Sequence, residues 1–366
     1  MIDVNSARNE KRKRNLRSTY VREPEFGLVL GAGVTVQSGV PLYDELALRL
    51  LDETLKQGKL SVEKDWVQSF VQGQRELLSK GDRKTVPPEE VVLFVRTHLE
   101  GDDELFRQLV KEVLYDMEKV GRSVKRQVFE ENKTLDAILT FCAARPKTVL
   151  APASEPPSSK KECEIETNIK VGGLLTTNYD NLVEGAFHKK YRRKLLKPVG
   201  RPASREFARD RRLIPVYHIH GYIGYREPES VDEEMETPEI VIAEDDYFQA
   251  FYDPLGFGNY IAMSFLRRFP CLFIGSALTD KNLRRFLFHL TKDTGITAAH
   301  QRKFAILPTF GAPEEEMTDE ILLSYGVETI WIADFGQIEG ILRGMYTAVS
   351  GVTKADWEYV ADYRWP

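Results

Sequence analysis

The chain opens its ordered pattern with Phe26–Leu30 (FGLVL), a continuous apolar run that reads as a buried parallel strand. After Pro41 the period changes. From Asp44 to about Ala144 apolar residues recur at helical spacing: Leu46, Leu50, Leu51 and Leu55, then Trp66, Phe70 and Val71, then Val91, Val92, Phe94 and Val95, then Phe106, Leu109, Val113 and Leu114. Pro87-Pro88 breaks this region, and Glu89-Glu90 suits the first turn of the next helix. A Pro- and Ser-rich stretch from Pro146 to Lys170 reads as a linker or surface loop. Strand patterns then return at Gly173–Thr176, Pro215–Ile219, Ile240–Ala243, Cys271–Gly275, Phe304–Leu307 and Glu328–Ile332, with helical patterns at Tyr260–Arg268, Asn282–Thr291 and Glu314–Tyr325 between several of them. Strand-helix alternation of this kind predicts an α/β fold with a doubly wound, parallel, Rossmann-like sheet. The expected organisation is a basic N-terminal arm (1–22), one α/β unit (23–345) and an aromatic C-terminal tail (346–366). A large helical insertion (45–145) and a linker loop (146–170) interrupt the unit after its first β-α step.

Four segments sit where predicted strands end, the edge at which an open α/β sheet gathers its ligand-binding groups. The first is Gly31-Ala32-Gly33 with Thr35 and then Ser38-Gly39-Val40-Pro41. Glycines that end a strand and precede a helix let backbone N–H groups approach a pyrophosphate, although Gly-x-Gly serves equally as a packing turn. The dinucleotide fingerprint of dehydrogenases needs glycine where Val36 stands, and no Gly-Lys-Ser/Thr follows to make a P-loop. The second segment is Thr176-Thr177-Asn178-Tyr179-Asp180. Asn178 both donates and accepts, so it suits a water or a ribose hydroxyl; Asn178 and Asp180 equally suit the cap of a helix starting near Asn181. The third is His218-Ile219-His220-Gly221. His220 is the side chain best fitted to take a proton near neutral pH. The plainer alternative is a satisfied core histidine. By strand parity His218 is expected on the same face as His220, one pleat deeper and structural. The fourth is Gly275-Ser276, continuing to Asp280.

Composition narrows the classes. The chain has 366 residues, 42% hydrophobic and 29% charged, which is the balance of a globular protein with a sizeable core. No run approaches the 18 or so apolar residues that a membrane span requires, and polar, basic Met1–Tyr20 lacks the apolar segment of a secretory signal. Cys142, Cys163 and Cys271 include no C-x-x-C pair, so no four-thiolate zinc site is expected, and an odd count suits a reducing cytosol. The net charge of −5 does not call for nucleic acid. One stretch, Lys189 to Arg212, nevertheless carries eleven Lys/Arg and is expected to be a solvated loop, with a nucleic-acid or phosphate contact as the alternative. Glu227–Glu236 is its acidic counterpart. The cluster Arg8, Lys11–Arg14 and Arg17 reads as a solvated arm or one that docks on a neighbouring subunit.

Taken together, the four segments resemble the sirtuin family. Gly31-Ala32-Gly33 with Ser38-Gly39-Val40-Pro41 looks like the family's opening NAD loop. Thr176–Asp180 looks like its Thr-Gln-Asn-Ile-Asp motif, which places Asn178 and Asp180 on the catalytic Asn and Asp. His220-Gly221 looks like the catalytic His-Gly, and Gly275-Ser276 like the Gly-Thr-Ser that contacts the nicotinamide ribose. The resemblance implies NAD+ as substrate, no metal, and a cradle made of Gly31, Ala32, Gly33, Thr35, Ser38, Pro41, Thr177, Gly275, Ser276 and Asp280. There are departures. Leu42-Tyr43-Asp44 replaces the Asp-Phe-Arg of protein deacylases, and no cysteine lies between His220 and Cys271 to build their zinc module. Glu244–Phe248 and Gly275–Asp280 resemble the sirtuin-like domains of bacterial anti-phage systems, which implies an NAD+ glycohydrolase in the cytoplasm. Gating by homo-oligomerisation or by a HerA-type ATPase is then expected, with the C-terminal Trp357, Tyr359, Tyr363 and Trp365 as an interface or as packing on the chain's own core. A deacylase or ADP-ribosyl transferase, and a non-catalytic NAD sensor, are the competing expectations.

Overall fold

A computed structural model describes residues 3–4, 6–60, 62–80, 85–99, 101–115, 132–144, 170–191, 195–200, 213–225, 239–294, 303–311, 313–349 and 351–362. Among them seven strands form one sheet: β1 (Phe26–Leu30), β2 (Val171–Thr176), β3 (Leu196–Val199), β4 (Ile214–His218), β5 (Cys271–Ile274), β6 (Lys303–Pro308) and β7 (Val327–Ile332). Their order is β3-β4-β2-β1-β5-β6-β7, and every pairing is parallel. The chain works outward from β1 to one side, returns, and then works outward from β5 to the other. The crevice between the ends of β1 and β5 is therefore the topological switch point. Register makes the ends level: Leu30 pairs with both Thr176 and Ile274, and Thr176 pairs with His218. The four loops of interest leave the sheet side by side for this reason.

Helices cover both faces. Alternate residues of a strand point to opposite sides, so Leu28 and Leu30 join the core on one face and Val29 the core on the other. The first face is covered by α1 (Ala7–Arg22), α6 (Lys133–Ala143), α7 (Leu182–Tyr191), α12 (Gln337–Tyr346) and α13 (Lys354–Asp362). The second carries α9 (Phe257–Arg268), α10 (Lys281–Thr294) and α11 (Glu314–Ser324). A third core belongs to α2 (Tyr43–Lys56), α3 (Lys64–Ser79), α4 (Pro88–His98) and α5 (Asp103–Tyr115), which pack on one another. These four helices also bury Tyr179, Leu182, Ile223, Ile240, Ile242 and Ala243, so they sit directly on the loops at the sheet's edge. The last helix of the expected insertion, α6, belongs instead to the sheet's own core, where it is the crossover helix leading to β2.

Several expectations change. The N-terminal basic segment is not a detached arm: α1 lies against β7 and α12, with Leu16 and Tyr20 fully buried. Arg12, itself buried, makes a two-pronged ion pair with Asp319 at 2.7 and 2.8 Å. Its arginines are thus split between solvent and a satisfied interior network. At the other end Trp357 of α13 is buried against Tyr346, which gives that residue the core-packing role rather than the interface one. The basic stretch 189–212 contains an element that charge obscured, the edge strand β3, and Lys190 is buried on Asp136 at 2.6 Å. Residues 192–194 and 201–212 of that stretch, the acidic 227–236 segment, Tyr363 and Trp365, and 146–169 of the linker lie outside the described residues. Ile240–Ala243 is not a strand. Its N–H and C=O groups bond to side chains and to a loop, as described below, so no ladder partner is needed. No described helix is long and apolar enough to cross a membrane.

Candidate functional site

The glycine loop does not run straight into a helix. Two single-turn 3₁₀ segments, Ala32–Val34 and Val36–Ser38, intervene before α2. The N–H groups of Gly31 and Gly33 donate to Ile274 and Gly275 carbonyls, and those of Val34 and Thr35 to Gly31 and Ala32. A Cβ on Gly31 would stand 2.6 Å from the Gly275 carbonyl oxygen and 2.7 Å from Ser276 Cα; one on Gly33 would stand 2.9 Å from the same oxygen. These glycines are thus required by the close approach of the β1 and β5 loops, and four of the loop's N–H groups are already engaged. The first and fourth segments form one packed unit. Asn132, fully buried ahead of α6, holds it from outside: its Nδ2 donates to the Val34 carbonyl at 2.7 Å and to Ser38 Oγ at 2.9 Å. Sequence reasoning missed Asn132, whose only local signal is its helix-capping position ahead of Leu135. Pro41 is buried just before α2, and Thr177 N–H donates weakly to Leu30 at 3.4 Å.

Thr35 is the hub between the first and second segments. It is fully buried; its hydroxyl donates to Asp180 Oδ2 at 3.0 Å and accepts from Asn178 Nδ2 at 3.3 Å. Asp180 also takes the Leu182 N–H on Oδ1 at 3.1 Å, so it does cap α7. Burial raises its carboxyl above the ordinary value, against the Leu182 and Thr35 hydrogen bonds that lower it. Asn178 is different. Its backbone N–H is bonded to Thr176 Oγ1, yet its side-chain Oδ1 is buried without any partner. A buried carbonyl oxygen left unmatched costs about 1–3 kcal/mol, so it marks a position for an incoming donor. The capping explanation accounts for Asp180 and leaves Asn178 unexplained.

The two histidines have different partners: β4 ends at His218, and the chain turns through Ile219-His220, although both residues border the same cavity. His218 Nε2 lies 2.7 Å from Glu184 of α7, on the first face. His220 Nε2 lies 3.8 Å from Asp280 Oδ2, and the same carboxylate caps α10 through Oδ1, which accepts the Leu283 N–H. Burial lowers the His220 pKa from its ordinary value of 6.5, opposed by the Asp280 charge. His220 is therefore a neutral imidazole at neutral pH. It borders a cavity of about 540 Å³ whose lining also includes Arg96, Arg107, Glu239, Asn259 and Asn282. That lining does not include Asn178, Asp180 or the glycine loop.

Residues 239–243 form a strap across the His220 turn. Val241 N–H donates to the His220 carbonyl at 2.9 Å, and the strap's carbonyls take hydroxyls from Tyr43 and, at 2.9 Å, Tyr179. Asp246 of α8 (Glu244–Tyr252) accepts the Ile242 and Ala243 N–H groups and is gripped by Arg96 of α4. Gly221, at φ 71°, lies so close beneath that a Cβ would sit 2.3 Å from the Glu239 carbonyl oxygen. Tyr247 stands edge-on to His220 with ring centroids 5.5 Å apart. Tyr43, Arg96 and Tyr247 were not anticipated, because their roles depend on the strap. In the last segment Ser276 Oγ accepts the Leu278 N–H, supporting a non-glycine residue in the left-handed region at φ 54°.

An all-parallel sheet with glycine loops at its switch point, and an Asn, an Asp and a His just past adjacent strand ends, makes this a Rossmann-like α/β fold with polar side chains gathered at its carboxyl edge. Residues 172–330 match the family model of the SIR2-like domain. That part of the chain is thus similar to a sirtuin-like domain, and the match takes in Asn178, Asp180, His220 and Gly275–Asp280. The glycine loop precedes the matched residues, but β1 lies between β2 and β5 and makes it part of the same sheet. Comparison with curated proteins returns no match. Among the described residues no group of three or more His, Cys, Asp or Glu is placed to hold a metal ion.

Proposed function

We propose that the chain hydrolyses the N-glycosidic bond of NAD+, releasing nicotinamide and ADP-ribose. The observation that carries this reading is Asn178, a buried amide whose Oδ1 lacks a partner, fixed by Thr35 beside the Asp180 carboxylate. Nicotinamide is cationic in NAD+, so the C1′–N bond breaks with its electron pair leaving on a neutral group. No acid is required, unlike the carboxylate pair of ordinary glycosidases. The oxygen of water bonds to C1′, and its proton passes to a base. His220, kept neutral by burial, is suited to that task or to holding a ribose hydroxyl. Asn178 Oδ1 accepts from the water or the ribose, and Asp180 supplies negative charge near an oxocarbenium-like ribose. The β1–β5 loop unit would cradle the dinucleotide. By family resemblance, depletion of NAD+ in anti-phage defence is the biological role proposed, with oligomerisation or a partner ATPase as its gate.

The test is incubation of the purified chain with NAD+ and separation of products. Wild type should release nicotinamide and ADP-ribose, with Asn178→Ala and His220→Ala each about 10²- to 10⁴-fold slower; wild-type release by either variant sinks the assignment. One observation favours a second reading. The cavity bordered by His220 is within the roughly 300–1,000 Å³ range of ligand pockets, so it has room for an acceptor other than water. Acyl- or ADP-ribosyl-transfer products that require an added acceptor would select that reading.

A further inference from the structure

The His218–Glu184 pair has no part in the reaction as derived, yet it is built into the same loop. His218 is 1% exposed and Glu184 7%. The imidazole is bracketed by two acceptors: Nδ1 lies 3.1 Å from the Asn178 carbonyl oxygen and Nε2 lies 2.7 Å from Glu184 Oε1. A backbone carbonyl only accepts, so Nδ1 must carry a proton. Nε2 then either donates a second proton to the carboxylate or accepts one from a carboxylic acid. Either way the pair holds one proton more than a neutral imidazole and a carboxylate would.

We infer that His218 and Glu184 form a proton-holding clamp that positions Asn178 by gripping its backbone carbonyl, an inference that rests on the hydrolase reading for its catalytic consequence. The Asn178 peptide is fixed on both sides, by Thr176 Oγ1 at its N–H and by His218 at its carbonyl. The side chain is thereby aimed at Thr35, and Oδ1 is left for the ligand. His218 is a positioning residue; it touches Asn178 and not the reacting atoms. The groups that face the pair are consistent with a held proton. Asp180 adds negative charge, Tyr222 packs its ring 4.7 Å from the imidazole, and Tyr115 of α5 is kept a neutral phenol by burial. Desolvation lowers the His218 pKa, but the Glu184 charge and hydrogen bond, the Asn178 carbonyl and the Asp180 charge together raise it above its ordinary value, which favours keeping the second proton.

The test combines histidine ¹⁵N NMR with steady-state kinetics on the full chain. His218, assigned by loss of its resonances in His218→Gln, should show both ring nitrogens protonated at pH 7.5. Glu184→Ala should lower kcat about 10²-fold, the scale of a roughly 1 Å misplacement, with KM for NAD+ changed less than kcat. Glu184→Gln keeps the geometry, because its amide donates to Nε2 while Nδ1 still donates to Asn178. It should recover most of the kcat lost in Glu184→Ala. Wild-type kcat should fall as pH rises through the raised His218 pKa, and Glu184→Gln should lack that basic limb. A neutral His218 beside an ionised Glu184 at pH 7.5, or Glu184→Ala with wild-type kcat, overturns the clamp. If the wild type cleaves no NAD+, the hydrolase reading fails separately. The clamp is then decided by the imidazolium signature and by the Tyr179 amide resonance, which must move in Glu184→Ala and return in Glu184→Gln.

Discussion

Gly31→Ala isolates the claim that the two glycine loops exist to pack on each other. The new methyl carbon would meet the Gly275 carbonyl oxygen at 2.6 Å, Ser276 Cα at 2.7 Å and Ser276 Cβ at 2.8 Å. None of these is the free end of a flexible side chain. They belong to a loop held by the Gly33-to-Gly275 hydrogen bond and by Arg284 on the Leu278 carbonyl. Relief requires the β1 and β5 loops to separate by several tenths of an ångström at the switch point. Overpacking of this kind costs about 1–3 kcal/mol. With an unfolding entropy of about 2.1 cal/mol/K per residue, that lowers the melting temperature by about 1–4 °C for a chain of this length. The matched control is Gly73→Ala in α3, where nothing lies within 4 Å of the added carbon. There alanine favours the helix by about 0.5–1 kcal/mol, and the melting temperature should rise slightly. Differential scanning fluorimetry reads both, and nicotinamide release from Gly31→Ala should fall by more than the loss of folded protein. A Gly31→Ala variant that melts with or above wild type would refute the packing argument.

Three further outcomes follow from the same contacts. Asp280→Asn keeps the α10 cap but removes the charge that raises His220, leaving burial to lower it further; the acid limb of kcat should move to lower pH, and a pH–rate profile with an upward shift contradicts the assignment. Thr35→Val preserves shape while removing the donor to Asp180 and the acceptor for Asn178; a loss of about 1–3 kcal/mol in denaturant unfolding should accompany a fall in NAD+ cleavage. Asp319→Ala strands the buried Arg12 guanidinium, with an expected cost of about 3–5 kcal/mol, and should expose α1 to limited proteolysis; an unchanged digestion pattern means that the helix is not held there.

The architecture was legible wherever a strand is buried on both faces, because such strands need an unbroken apolar run. Phe26–Leu30, Cys271–Ile274 and Phe304–Leu307 show this plainly. β3 was hidden because an edge strand needs no such run: Leu196-Lys197-Pro198-Val199 buries its two ends and leaves the middle partly exposed. Ile240–Ala243 was the opposite error. Ile240, Ile242 and Ala243 are buried, but against α2–α5 rather than in a ladder, and an apolar run alone does not distinguish a strap from a strand. The identities of Asn178, Asp180 and His220 as candidates were readable from residue type at strand ends. Their separate tasks were not. Only the contacts show that Asp180 caps a helix and that Asn178 retains an unmatched oxygen.

By itself the sequence determined local matters: which runs become strands, which spacings become helices, and which polar residues stand at the carboxyl edge. Those depend on periodicity and side-chain chemistry within a few residues. The tertiary structure decided everything that depends on approach between distant segments. It set Gly31 against Gly275, Thr35 between Asn178 and Asp180, Arg96 on the Asp246 that ties the strap over His220, and His218 and His220 on different carboxylates. Such relations arise from level strand ends at a switch point and from packing of four inserted helices, and no local pattern encodes them.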